Sequence, residues 1–376
     1  MSICSRGDAG LALCAVLLWM SAVSCVDRPL GPDNSAGGTT SVDGGHGDGG
    51  SEPPLDGSID ATMPDSGATD FGADASGPSG FIGEPGGPGG IPVCARGDTP
   101  KRMPSPAYNI GAVSGLDDKI YLMAVGDSGQ GTAAYTYEIV SATWTRIADV
   151  PKRLVDGSAP VRFGARIYVT ASLLYAFDTT LGQWSKETSL TPYRVGMSST
   201  LGLDGKIYSS GGVQLGSMNG TQLSFVYDPM NDAWSSLPDR PQLDGFVGTA
   251  TGPNGAIYVI GEHTVVLDPS TQSWATLPDP PTPREEPAVL AIAGKIHSFG
   301  GRVPSALSAS GANEVFDPQA LTWSSRAPMP QPVNWPSAAR GCDGQVYIFG
   351  GVDHAGKIVD LVQVYDPVTD SWQVSP

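Results

Sequence analysis

Six tryptophans recur in one register: Trp144, Trp184, Trp234, Trp274, Trp323 and Trp372. Seven residues before each stands a large apolar residue: Tyr137, Phe177, Tyr227, Leu267, Phe316 or Tyr365. An acidic residue follows that position every time. Upstream, a short β-type run ends in Tyr121, Tyr168, Tyr208, Tyr258, His297 or Tyr347. A unit of 40–50 residues repeated in this way cannot bury its apolar face alone, so neighbouring units must stack. Within the third unit, apolar alternation predicts strands over 195–203, 206–210, 223–227 and 234–237, with Asp204-Gly205 as a tight hairpin turn. No window holds a 3.6-residue apolar period, so the expected solution is four-stranded antiparallel blades around an axis.

In three units a diglycine closes the second run: Gly211-Gly212, Gly300-Gly301 and Gly350-Gly351. In the last four the acid precedes proline. Diglycine, aromatic-Asp pair and spaced Trp together resemble the kelch repeat over about 103–376. Units one, two and four depart from it with Gly126-Asp127, Ala171-Ser172 and Gly261-Glu262. The resemblance implies an all-β, six-bladed kelch-type β-propeller. Its blades fall at approximately 103–148, 149–187, 188–237, 238–277, 278–326 and 327–376.

The residues before the repeats differ in composition. Leu11 to Val23 is an apolar run too short to span a bilayer and reads as the core of a signal peptide over 1–24. Ala22-Val23-Ser24 puts small residues before Cys25. One reading is simple secretory cleavage. The favoured one resembles a bacterial lipobox with a lipidated Cys25, although Ala22 stands where such motifs usually carry Leu. Residues 26–93 hold 18 Gly, 9 Pro and 11 acids against the single base Arg28. Such a segment buries too little apolar surface to offset its ordering entropy, so 25–93 is expected to be a disordered tether. It carries most of the formal charge of −17. The repeats keep only −7, and an acidic chain disfavours nucleic acid as a partner. The expected location is extracytoplasmic: periplasm, bacterial outer membrane or cell surface, with membrane contact only through the N-terminal anchor. Asp43, His46 and Asp48 stand among glycines that fix no metal geometry, and Arg96-Gly97-Asp98 is read as an ordinary loop.

Length variation is concentrated between the second and third strands of each unit, b and c. The long connections are 126–133, 211–222, 300–313 and 350–361. Antiparallel alternation puts these b–c loops and the d–a connections on one face, here face A. The a–b and c–d turns share the opposite face B. Insertions on one face of a repeat array mark a binding face. Face A also carries the start of each strand a around the channel. The residues expected there are Tyr108, Asp156, Arg194, Asp244, Arg284, Glu285, Asn334 and Trp335. This polar ring with two aromatics suits a protein or glycan ligand. The alternative is a solvated rim without a ligand. The repeat Trp and Tyr are expected to be packing wedges, Trp335 being out of register. The Asp-Pro acids are expected to accept turn hydrogen bonds.

No Gly-x-Ser-x-Gly, P-loop or zincin motif occurs, and no metal or cofactor is expected. Copper chemistry of the galactose-oxidase type, which also uses kelch blades, lacks a suitable Tyr–Cys context. His297 replaces a strand-b Tyr and reads as structural. A periplasmic enzyme of the sialic-acid mutarotase type would use Arg194 and Arg284 for a carboxylate and Glu285 for proton transfer. A third reading is a structural surface protein without a discrete ligand. A monomer is expected. Cys94 and Cys342 allow a disulfide or a buried free thiol. The apolar register of Cys342, shared with Leu116, Phe163, Leu203 and Ile292, favours the thiol.

Overall fold

The computed structural model describes residues 93–125, 132–151, 160–170, 173–190, 194–214 and 220–376. The signal peptide, Cys25, the tether up to residue 92, the Asp43/His46/Asp48 group and Asp156 lie outside them.

The described residues form six antiparallel sheets of four strands, plus one short hairpin, and contain no helix. Each sheet takes its strands in chain order, as in blade four, Gly248–Thr251, Ile257–Ile260, Thr264–Asp268 and Ser273–Leu277; in blade five the short hairpin of Arg302–Val303 and Ser308–Ala309 stands between the second and third strands. Its register pairs Gly248 with Ile260, Ile257 with Leu267 and Leu267 with Trp274. The innermost strands are Gly111–Ser114, Pro160–Phe163, Arg194–Leu201, Gly248–Thr251, Ala288–Ile292 and Ser337–Arg340. Each neighbours the inner strands beside it, and blade one's neighbours blade six's, so the ring closes. The chain is a six-bladed β-propeller. Strand b of blade three runs through its diglycine to Gln214, past the expected end at residue 210, because Val213 and Gln214 pair with Val195 and Arg194.

Apolar clusters lie between successive blades. One joins Tyr208 and Leu237 of blade three to Ile257 and Leu267 of blade four. Five of the in-register Trp rings pack against the strand-c aromatic of their own blade, as Trp234 does on Tyr227 and Trp323 on Phe316, whereas Trp274 has Leu267 at that position. Five of the indoles also reach backwards. Trp184, Trp234, Trp274, Trp323 and Trp372 donate Nε1–H to the carbonyls of Ala148, Thr188, Pro238, Pro278 and Ala327, all at 2.8–2.9 Å. Those carbonyls lie just beyond the outer strand of the preceding blade, so each indole ties two blades together. Trp144 is different, and its Nε1 is buried without a partner. The acids after strand c accept turn hydrogen bonds: Asp228 from the Met230 N–H, Asp268 from Ser270, Asp317 from Gln319 and Asp366 from Val368. His297 is buried against Phe299, and burial pushes its imidazole down to about 4, so it is neutral at pH 7.

The expectation of a buried thiol at Cys342 is corrected. Cys94 and Cys342 are joined as a disulfide, with their Cα atoms 5.2 Å apart. The Cys94 N–H donates to the Cys342 carbonyl at 3.1 Å, which sets the two residues side by side. Cys342 sits in the a–b turn of blade six, on face B. From there the chain crosses to face A before entering blade one. Met103 and Ala107 N–H groups donate to Asp360 and Val359 in the long loop of blade six. The Arg96-Gly97-Asp98 tripeptide belongs to this crossing: Arg96 pairs with Asp366, and Asp98 N–H donates to the Val140 carbonyl.

Candidate functional site

Two backbone devices position the face-A mouth. The first is the diglycine. The N–H groups of Gly212, Gly301 and Gly351 donate to Gly245, Val333 and Ala107 at 2.6, 2.9 and 2.8 Å. Each acceptor lies in the lead to strand a of the next blade. Gly301 has φ +96, and a Cβ there would stand 2.5 Å from the Glu285 carbonyl; at Gly351 (φ +102) it would stand 2.7 Å from that of Asn334. Only glycine allows both the conformation and the approach. The second device is a left-handed residue at the entry to strand a. Asn109, Gly196, Glu286 and Trp335 have φ of 55°, 73°, 60° and 49°. Asn and Gly adopt this region readily, whereas for a bulky Trp it is strained and marks a position held for a purpose.

The leads surround a cavity of about 410 Å³ along the axis. Its walls include Ser114, Ser198, Thr200, Thr249, Thr251 and Ser337. At the face-A end stand Asn109, Phe246, Glu286 and Trp335. The Trp335 ring rests on Tyr108 with centroids 5.5 Å apart. Phe246 packs where a side chain at Gly196 would otherwise stand. The Phe246 carbonyl accepts from the Glu286 N–H at 3.1 Å. Glu286 is 7% exposed, and neither carboxyl oxygen has a hydrogen-bond partner. Burial pushes this carboxyl up to about 8, with Glu285 adding to the rise and Arg302 opposing it. The group is mostly a neutral acid at pH 7.

Among the described residues of the ring expected from sequence, only Trp335 lines this cavity, with Tyr108 against its ring. Arg284 is 0% exposed inside blade five, where its Nη1 donates to Glu314 at 2.6 Å and its Nη2 to the Ser298 carbonyl at 3.0 Å. Arg194 is 1% exposed, over the Phe225 ring, and donates to Thr221 Oγ1 at 2.5 Å. Asn334 is buried. Glu285 pairs with Arg302 of the blade-five hairpin, and Asp244 accepts from the His263 N–H at 3.2 Å and contacts His263 Nδ1 at 2.9 Å. Arg194, Arg284 and Glu285 therefore do not converge on the channel. The residues passed over are Asn109, Phe246 and Glu286. A signal for them existed: Asn109, Gly196, Phe246 and Trp335 all lie twelve residues before the strand-b Tyr. Glu286 lies eleven before His297, because the a–b hairpin of blade five is one residue shorter.

A family model described as the Kelch motif matches residues 336–376. The sixth blade carries a kelch motif. Kelch relatives extend the likeness. The mouse Kelch-like protein 35 is 27% identical over 40% of this chain and 26% of its own length. An F-box/kelch-repeat protein of Arabidopsis thaliana is 30% identical over 58% of this chain and 42% of its own length. The chain thus spans less than half the length of these curated kelch relatives. The solved structure of YjhT covers 74% of this chain and 100% of its own, with a TM-score of 0.63 and 13% identity, a likeness of fold.

Proposed function

We propose that the chain is an exported kelch-type propeller, tethered through a lipidated Cys25, that recognises a partner protein through face A. The observation that carries the reading is the face-A mouth itself. A strained Trp335 and a buried, unpartnered Glu286 stand together on the channel wall, and ordinary folding requires neither. The b–c hairpin of blade five adds a projecting wall, with Leu307 exposed at its tip. The disulfide supports export, because such bridges persist in oxidising compartments. The half-buried aromatic pair Tyr108–Trp335 also favours a second reading, in which the same mouth holds a glycan. The mutarotase reading loses its constellation, since both of its arginines lie inside blades.

The test is cross-linked capture by the full chain on the surface of its source cells. Trp335→Ala is expected to remove the captured partner, while Val368→Asp on face B leaves capture intact. Equal effects of the two substitutions would place the contact elsewhere. A glycan array with the same proteins reads the second possibility. Metabolic labelling with a palmitate analogue reads the anchor, and an unlabelled chain lacking 1–24 would refute it.

A further inference from the structure

Face A above blades four and five carries more acid than base. Asp244 stands in the lead to blade four and Glu262 in its b–c turn, while Glu285 and Glu286 form the lead to blade five. Three basic groups face them: His263 is engaged by Asp244, Arg302 by Glu285, and the buried Arg240 donates to the Thr221 and Asp244 carbonyls. Glu262 is left half-buried without a hydrogen bond among the described residues, and Glu286 is left buried with both oxygens unpartnered in the channel wall.

These two acids share a cost. Glu286 is held up to about 8 by burial, with Glu285 raising and Arg302 lowering it. Glu262 is raised by burial and then by Glu285 and Asp244, against His263 and Arg302. A buried polar group without a partner is unfavourable, and a cation placed beside it would restore both the charge and the missing hydrogen bond. The same mouth presents the rings of Trp335 and Phe246, whose faces attract organic cations. An anionic ligand would meet the opposite arrangement.

We propose that the face-A mouth of the channel recognises an organic ammonium group, of the kind a lysine side chain presents, through Glu286 and the rings of Trp335 and Phe246. This rests on the face-A reading above and names the chemistry that the mouth selects. As the cation arrives, the Glu286 side chain turns toward the lumen, its proton passes to the buffer, and the resulting carboxylate pairs with the ammonium.

The experiment is calorimetric titration of the full chain at pH 7 in two buffers of different ionisation enthalpy. The probes are Nα-acetyl-lysine amide, n-butylammonium chloride, and Nα,Nε-diacetyl-lysine amide as the neutral control. Both cations are expected to bind, with the neutral control weaker by about tenfold or more. Protons should be released on cation binding, because burial holds the Glu286 carboxyl protonated beforehand. Tighter binding of the lysine amide assigns the site to a protein side chain, and equal binding assigns it to a free amine. Glu286→Gln preserves the shape of the neutral acid, and its melting curve checks the fold; it should abolish proton release and weaken the cations about tenfold. Failure of both cations to bind at millimolar concentration, equal binding of the acetylated control, or unchanged proton release in Glu286→Gln overturns the proposal. If the cations fail while capture still depends on Trp335, the ammonium assignment falls and the face-A reading stands. If cations bind while capture ignores Trp335, the reading falls and the site stands.

Discussion

Glu285 and Glu286 are adjacent in sequence and opposite in situation. Glu285 is ion-paired with Arg302, whereas Glu286 is turned by its positive φ into the channel wall and has no partner. Burial raises the folded-state carboxyl of Glu286 to about 8, against about 4.3 in an unfolded chain. Between those values the folded state holds a proton that the unfolded state has released, so this group's contribution to stability falls as pH rises through the window. Glu286→Gln does not titrate. Its unfolding free energy should match wild type near pH 4 and exceed it increasingly up to pH 8, with a slope of at most about 1.4 kcal/mol per pH unit. Denaturation series at several pH values check this, and a pH-independent difference would show that Glu286 is not held neutral. Composition and spacing cannot separate the two acids. The distinction is made by which one takes the left-handed backbone position.

Between elements, the repeat signature acts mainly as joinery. Trp323 illustrates it: the ring packs on Phe316 of its own blade, and its Nε1 donates to the Pro278 carbonyl at the exit of the blade before. Trp144 keeps the packing, on Tyr137, without the backward bond. Replacing Trp323 by Phe should therefore cost about 1 kcal/mol more than replacing Trp144 by Phe, the net worth of one hydrogen bond. Urea unfolding of the two variants gives the comparison, and equal losses would remove the indole bond from the account. The spacing that places these Trp residues was legible, and so was the length variation between strands b and c. The placement of Arg284 was not, because a two-residue shift in the lead decides whether a side chain enters the blade or the channel. Arg284 finds Glu314 within its own sheet, which no linear spacing reveals.

For the whole molecule, the decisive event is closure. Every blade is made of its own four strands in chain order, so no strand is shared between the first blade and the last. The ring is held instead by contact between inner strands, by the crossing segment on blade six, and by Cys94–Cys342 across 248 residues. A bridge over so long a loop removes much unfolded-state entropy, and Cys94→Ser should cost about 2–5 kcal/mol. Thermal unfolding of the variant, and of wild type under reductant, measures it; unchanged midpoints would show that the inner strands alone close the ring. The all-β architecture and the number of blades were readable from the chain, because periodic Trp, diglycine and turn chemistry are local and repeat six times. The disulfide was not, since the apolar register of Cys342 argues for a thiol and only the closed ring brings Cys94 against it. Nor was the acid at the channel mouth: local pattern dictates which strands form, whereas burial and missing partners arise only when six blades meet around one axis.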